Sequence, residues 1–103
     1  MSTYTPDAWV ILEMNSAEYG KIRKILAGWY GGYSGSDSWK LSSGNLKEYV
    51  DGDFIVFPQE SGSVYSCHKD AQRLTGYTSN ILAKIKDNFK DNHTVSIEVI
   101  KYE

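Results

Sequence analysis

The sequence predicts an α+β fold: an antiparallel β-meander of about five to seven short strands, packed with one amphipathic C-terminal helix. Three observations lead to this prediction. Short β-rich segments alternate with Gly, Ser, Asp and Pro turns through the middle of the chain. One later segment carries apolar residues at helical spacing, and the last segment alternates like a half-buried strand. At 103 residues, a single domain over residues 1–103 is expected.

The first third of the chain contains one clear strand and one ambiguous segment. The apolar, β-branched run from Trp9 to Met14 follows a Pro-Asp turn signal and predicts a strand. Residues 17–30 fit a helix by apolar spacing, and Asn15 and Glu18 resemble a capping box. The glycines in this segment and its period-two pattern narrowly favour a strand over residues 23–30 instead.

The middle of the chain reads as a meander. Strands are predicted at 38–41, 46–50, 54–57 and 64–68. The Asp51-Gly52-Asp53 sequence predicts a tight hairpin turn, because glycine adopts the positive φ that such turns require. Pro58 is expected to end the returning strand or to place it at an edge.

The last quarter predicts a helix followed by a strand. Thr78 or Ser79 is the expected N-cap of a helix whose apolar face contains Ile81, Leu82, Ile85 and Phe89. Residues 94–102 then alternate, which places Val95, Ile97 and Val99 on one face of a final strand. Edge strands at the two ends of such a sheet also allow a homo-oligomer that extends the sheet across a two-fold axis.

Composition excludes several classes of protein. A net charge of −2 and a pI near 5.6 give no general attraction to duplex nucleic acid or to anionic lipid. No apolar run approaches the roughly 18 residues of a membrane span, and a leader segment is not expected. Because Cys67 is the only cysteine, no internal disulfide forms, and a reducing, cytoplasmic location is expected.

Two segments rich in Ser, Gly and aromatic residues, 28–40 and 61–69, are the candidate recognition surface. Flat rings stack on bases, and hydroxyls and turn N–H groups bind anions. The candidate ligand-binding residues are Trp29, Tyr30, Tyr33, Ser36, Asp37, Trp39, Lys40, Ser61, Ser63, Tyr65, His68 and Lys69. For single residues the alternatives are ordinary turn chemistry for the serines and core packing for Trp29 and Trp39.

No motif indicates a catalytic residue, a metal site or a cofactor. On a strand, Cys67 and His68 point to opposite faces and cannot act as a nucleophile and its base. His68 with Asp37 is the remaining candidate for acid-base chemistry. The spacing of cysteine and histidine matches no zinc motif, and Asp51-Gly52-Asp53 lacks the later glutamate of a calcium loop.

The strings Trp29-Tyr30-Gly31-Gly32-Tyr33, Asp37-Ser38-Trp39-Lys40-Leu41 and Ser61-Gly62-Ser63-Val64-Tyr65, with Cys67-His68-Lys69, resemble a group of small uncharacterised bacteriophage proteins. The resemblance spans about residues 6–85 and the longer C-terminal strand departs from it. It implies a compact accessory protein that acts by binding in the host cytoplasm, and it transfers no catalytic residue.

Three functions follow as expectations, in this order. The first is a non-enzymatic binding module for a small polar or nucleotide-like ligand, with sequestration of a host defence signal as one use. The second is a protein-interaction module that inhibits a host protein through exposed tyrosines. The third is a small hydrolase or lyase that uses His68.

Overall fold

The computed structural model describes residues 2–18, 20–31, 35–92 and 94–102. It confirms the α+β class, and within these residues there are eight strands, slightly more than predicted, and one α-helix. The strands are β1 Thr3–Tyr4, β2 Ala8–Ser16, β3 Gly20–Trp29, β4 Ser38–Leu41, β5 Tyr49–Asp51, β6 Phe54–Pro58, β7 Val64–His68 and β8 Val95–Ile100. The helix α1 spans Gly76–Asp87, and a short 3-10 helix covers Lys69–Ala71.

The strands form two four-stranded sheets rather than one continuous meander. The central sheet has the order β4-β3-β2-β8, and the outer sheet has the order β1-β7-β6-β5. Each sheet contains a three-stranded antiparallel meander, β2-β3-β4 or β5-β6-β7. β1 joins the outer sheet by parallel pairing with β7. The meander therefore divides between β4 and β5, where the chain crosses from one sheet to the other.

Two cores on opposite faces of the central sheet explain this division. Between the two sheets lie Trp9, Ile11, Ile25, Ala27, Ile55, Phe57, Tyr65 and Cys67. On the other face, Val10, Leu12 and Leu26 pack against Ile81 and Leu82 of α1. Successive residues of β2 enter alternate cores, so the continuous apolar run of this strand needs cover on both faces. The molecule consequently has three layers: outer sheet, central sheet and helix.

The ambiguous segment is a strand, as the sequence narrowly favoured. β3 pairs antiparallel with β2 through nine residue pairs, from Ala8 with Gly28 to Ser16 with Gly20. Ile25 and Leu26 are buried on opposite faces of β3, and this two-sided burial produces apolar spacing that also fits a helix. The expected capping box at Asn15 and Glu18 is wrong, because Asn15 lies in β2 opposite Lys21.

The β5–β6 hairpin forms as predicted. Asp51 pairs with Phe54, so Gly52 and Asp53 are the two turn residues, and Gly52 has the required positive φ of 61°. Pro58 is the last residue of β6, which is an internal strand of its sheet. The strand predicted at 46–50 is shorter than expected and covers only Tyr49–Asp51.

Residues 42–46 are not free to extend that strand because they connect the two sheets. Ser42 Oγ accepts a hydrogen bond from the Ile25 N–H at 2.7 Å, and the Asn45 N–H donates to the Arg23 carbonyl at 2.7 Å. The Leu46 N–H then donates to the Pro58 carbonyl of the outer sheet at 2.9 Å. This segment, the connector, thus holds the edge of β3 against the end of β6.

The helix begins earlier than expected. Thr75, not Thr78 or Ser79, is the N-cap, and its hydroxyl accepts the Thr78 N–H at 3.0 Å. Thr78 completes the capping box because its hydroxyl accepts the Thr75 N–H at 2.8 Å. The first turn lies directly on β3: a Cβ added to Gly28 would come within 2.7 Å of Thr78 Cγ2. Phe89 lies beyond the helix end and is exposed.

We expect Thr75→Ala to lower the free energy of unfolding by about 1 kcal/mol, because the Thr78 N–H loses its acceptor. Ser79→Ala is the matched control: Ser79 is exposed within the helix, where alanine has the higher helix propensity, so little change is expected. Urea denaturation followed by circular dichroism measures both. Equal losses in the two variants would contradict the assignment of Thr75 as N-cap.

β8 completes the central sheet at its edge, paired only with β2 within the described chain. Val95, Ile97 and Val99 share one face, as the alternation predicted, and their partners in β2 are Ser16, Met14 and Leu12. This is the helix-side face. Val99 is nevertheless 42% exposed, because it lies at the sheet edge.

Candidate functional site

A groove of about 480 Å³ opens between the two sheets. Its floor comes from both sheets: Ile11 and Ile100 lie in the central sheet, and Phe57 lies in the outer sheet. Leu46 of the connector and Tyr102 form apolar walls. The size falls within the range of about 300–1,000 Å³ that is typical of small-ligand sites.

The rim of the groove is charged. Lys21, Arg23 and Lys101 supply three cations, and Glu48 and Glu60 supply two carboxylates. These side chains surround an apolar floor, which is the usual composition of a site that orients a ligand by a few polar contacts. The rim therefore offers both cationic donors and anionic acceptors.

Glu13 fixes two of these cations. Arg23 Nε donates to Glu13 Oε2 at 3.0 Å, Arg23 Nη2 lies 3.0 Å from the same oxygen, and Lys21 Nζ lies 3.5 Å from Oε1. Burial by itself raises the pKa of Glu13, but hydrogen bonds from Arg23 and Asn15 and the charges of Lys21 and Arg23 hold that pKa below its usual value. Because a guanidinium has five N–H donors, the Nη1 side of Arg23 keeps donors for other acceptors.

Register explains this placement. Ile11 and Ile25 are the last residues of the inter-sheet core on the β2–β3 hairpin. Farther along the same face, Glu13 lies opposite Arg23. The hairpin thus changes from apolar to charged where the groove opens. The alternation of Lys21 and Arg23 with Ile22 is the sequence signal that could have indicated this face.

The sequence-predicted site residues lie elsewhere and form separate groups. Trp29, Lys40 and Tyr65 meet around Tyr4, a residue that the sequence analysis did not single out. Its ring lies 6.3 Å from the ring of Trp29 and 5.0 Å from that of Tyr65, and Lys40 Nζ is 5.2 Å from its centroid. Burial, with smaller contributions from Tyr4 and Cys67, raises the pKa of Tyr65. This group packs the end of the sandwich.

The second group is exposed on the helix side. Tyr30 is 49% and Trp39 40% exposed. The Tyr30 hydroxyl accepts a hydrogen bond from Arg73 Nη2 at 2.9 Å, and the Tyr30 N–H donates to Asp7 Oδ2 at 2.9 Å. Asp37 Oδ1 accepts the Gly31 N–H at 2.8 Å, and Ser36 is exposed beside it. Tyr33 lies outside the described residues. Tyr30, Trp39 and Arg73 are called the Tyr30 patch below.

The remaining predicted residues flank β7. In the turn before the strand, the Ser61 N–H donates to Ser43 Oγ at 3.1 Å and the Ser63 N–H donates to Ser61 Oγ at 3.4 Å. At the end of the strand, His68 Nδ1 accepts the Asp70 N–H at 3.1 Å, and Lys69, the next residue, is exposed. The serine contacts are turn chemistry. None of the predicted residues that the structure describes lines the groove.

The geometry bears on the chemistry of Cys67 and His68. Burial raises the pKa of the Cys67 thiol to about 12, so the thiol is protonated near neutral pH. His68 and Asp37 have separate partners, Asp70 and Gly31.

Across the described ranges, no group of three or more His, Cys, Asp or Glu side chains is placed to hold a metal ion. Within the same ranges, no helix combines the length and apolar character needed to cross a membrane.

In comparisons with known proteins, no family model matches this chain, and no curated protein and no solved structure is significantly similar to it.

Proposed function

We propose that this protein is a non-enzymatic binding module and that the groove holds a small polar ligand with a flat ring and an anionic group, as in a nucleotide. The observation that carries the proposal is the pairing of an apolar floor with a rim of three cations and two carboxylates in one cavity of about 480 Å³. The sequence placed the ligand on the Gly/Ser/aromatic loops. The groove is the better location, because Tyr65 is buried and Trp29 is packed against the core.

Each part of the groove matches one part of such a ligand. Tyr102, whose ring meets that of the buried Phe57 edge-on at 6.2 Å, offers apolar surface to a flat ring. Arg23, held in position by Glu13, offers paired donors to a phosphate or carboxylate. Glu48 and Glu60 are acceptors for ligand hydroxyl or amino groups. The resemblance to phage proteins makes a host signalling nucleotide, bound in the host cytoplasm, the favoured member of this class.

The test is a thermal-shift screen with mononucleotides, cyclic nucleotides, ADP-ribose and inorganic phosphate. A ligand at a thousand times its Kd stabilises the folded state by about 4 kcal/mol, which raises the Tm by many degrees in a chain of this size. Lys101→Ala is expected to weaken binding about tenfold, because one cation leaves the rim. Inorganic phosphate is the compound without a ring, so a Tm shift with phosphate alone would reflect binding of the anionic group only.

Two controls separate the groove from other surfaces. Lys84→Ala removes the same charge from an exposed helix position and is expected to leave affinity unchanged. Trp39→Ala truncates an exposed ring outside the groove and is likewise expected to leave affinity unchanged. No shift with any compound would overturn the proposal, and a loss of binding in Trp39→Ala alone would move the site to the Tyr30 patch.

The Tyr30 patch supports a second candidate function, a protein-interaction module directed at a host protein. Tyr, Trp and Arg are the residues most enriched in binding hot spots, and here an exposed Tyr30 is held in place by Arg73 and Asp7. A pull-down is expected to recover a specific partner that is lost with Tyr30→Ala. Tyr49→Ala is the control and should retain the partner, since Tyr49 of β5 is a similarly exposed tyrosine. The hydrolase or lyase alternative fails if His68→Ala leaves turnover of a bound ligand unchanged.

A further inference from the structure

The open edge of β8 is the structural feature that points to a further interaction. β8 has six residues, no proline and no lysine, and its sequence is Val95-Ser96-Ile97-Glu98-Val99-Ile100. The other sheet edges of the described chain are shorter: β1 has two residues, β5 has three, and β4 has four including Lys40. Natural proteins protect edge strands by shortness, lysine or proline, because an unpaired ladder of N–H and C=O groups pairs with another strand. β8 has none of these three protections, and its one charged side chain is that of Glu98.

We propose that β8 is a dimer interface, in which two copies of this chain pair antiparallel across a two-fold axis at Ile97. The pairing joins the two central sheets into one continuous sheet of twice four strands. This proposal does not depend on the ligand of the groove.

Side-chain complementarity selects this register. With the axis perpendicular to the sheet, the residue on the axis faces its own copy, and each face of the sheet stays continuous. At Ile97, Val95 faces the partner's Val99 on the helix side, and Ser96 faces the partner's Glu98 on the other side. An axis at Glu98 gives a similar overlap but sets two glutamates directly opposite each other, which is destabilising.

Exposure and neighbouring surface fit the same arrangement. Val99 is 42% exposed at the sheet edge, and Val95 and Ile97 line a shallow hollow with Phe89, which is also exposed. Pairing at Ile97 would place Ile97 against its own copy and Val95 against the partner's Val99, which removes apolar surface from water. The hydrogen-bond ladder supplies affinity, and the alternating side chains supply register.

Size-exclusion chromatography with light scattering measures the molar mass of the chain over a dilution series and tests the proposal. The expected mass is twice 11.6 kDa at high concentration. Val99→Lys places two ammonium groups at the interface and is expected to give the monomer mass. Val50→Lys is the matched control, since Val50 is a 52% exposed valine on the β5 edge, and it is expected to remain dimeric. A monomer at every concentration, or a Val99→Lys dimer, would overturn the proposal.

Cysteine cross-linking tests the register separately. Ile97→Cys puts two thiols opposite each other on the axis, and oxidation is expected to link the chains. In Ser96→Cys the two thiols are diagonal neighbours about 7–8 Å apart, which exceeds the reach of a disulfide. The native Cys67 is buried and does not compete. Cross-linking at Ser96→Cys in preference to Ile97→Cys would overturn the register.

Discussion

Trp9→Ala is expected to lower the free energy of unfolding by about 3–5 kcal/mol, the range for removing a large buried aromatic side chain. Trp9 is fully buried between the two sheets, and its ring lies 5.6 Å from that of Phe57. Its Nε1–H also donates to the His68 carbonyl of the outer sheet at 2.8 Å. Since domains of this kind are stable by about 5–15 kcal/mol in total, the loss removes a large share of the stability.

Trp9→Phe separates the contribution of the buried ring from that of the hydrogen bond to the His68 carbonyl. It retains an apolar ring but leaves the His68 carbonyl without its donor, at a cost of about 1–3 kcal/mol. Urea unfolding followed by circular dichroism, which does not rely on tryptophan emission, measures all three proteins. A loss in Trp9→Ala below about 1 kcal/mol, the average for point mutations, would contradict the placement of Trp9 in the inter-sheet core.

The Cys67 thiol is expected to make the protein sensitive to alkaline pH. Its pKa is about 12 in the folded chain against 9.0 for an ordinary cysteine, because burial disfavours the thiolate. The raised pKa contributes stability that is fully present below pH 9.0 and is lost as pH rises toward about 12, since the unfolded chain releases its proton first. The slope reaches about 1.4 kcal/mol per pH unit, or about 4 kcal/mol across the interval.

Cys67→Ala isolates this effect, because the tyrosines and lysines that also titrate at high pH remain in both proteins. We expect the difference in stability between the two proteins to change by several kcal/mol between pH 9.0 and about pH 12, in favour of Cys67→Ala at the alkaline end. Urea midpoints measured at steps of pH give the comparison. Parallel pH profiles would show that the folded thiol ionises as readily as the unfolded one.

Local sequence signals predicted the strands and the hairpin well, because their causes are local. The bounds of β7 and β4 follow from turn residues on either side, and the β5–β6 turn follows from Gly52. The N-cap was misplaced because Thr75, Thr78 and Ser79 all carry hydroxyls, and it is the reciprocal hydrogen bonding with Thr78 that identifies Thr75 as the N-cap. Local propensity cannot distinguish among them.

The groove could not be predicted in the same way. Phe57 and Ile100 are far apart in the chain, and both line the groove only because the chain crosses between sheets at residues 42–46. The sequence shows that residues 28–40 and Tyr65 are rich in aromatic side chains. It does not show that Tyr4 packs against the rings of Trp29 and Tyr65 and covers them. Sequence patterns indicate which residues have suitable chemistry, and long-range packing decides which of them reach solvent together.

The exchange of strands between the two sheets has a kinetic consequence. The chain visits the outer sheet with β1, the central sheet with β2–β4, the outer sheet again with β5–β7 and the central sheet last with β8. The partner of β1 is β7, which is synthesised some sixty residues later. β2 has only one neighbouring strand, β3, until β8 has been synthesised. Neither sheet can therefore be completed during synthesis of the first half of the chain. We expect slow, single-step refolding on the millisecond-to-second scale that is usual for non-local strand pairing.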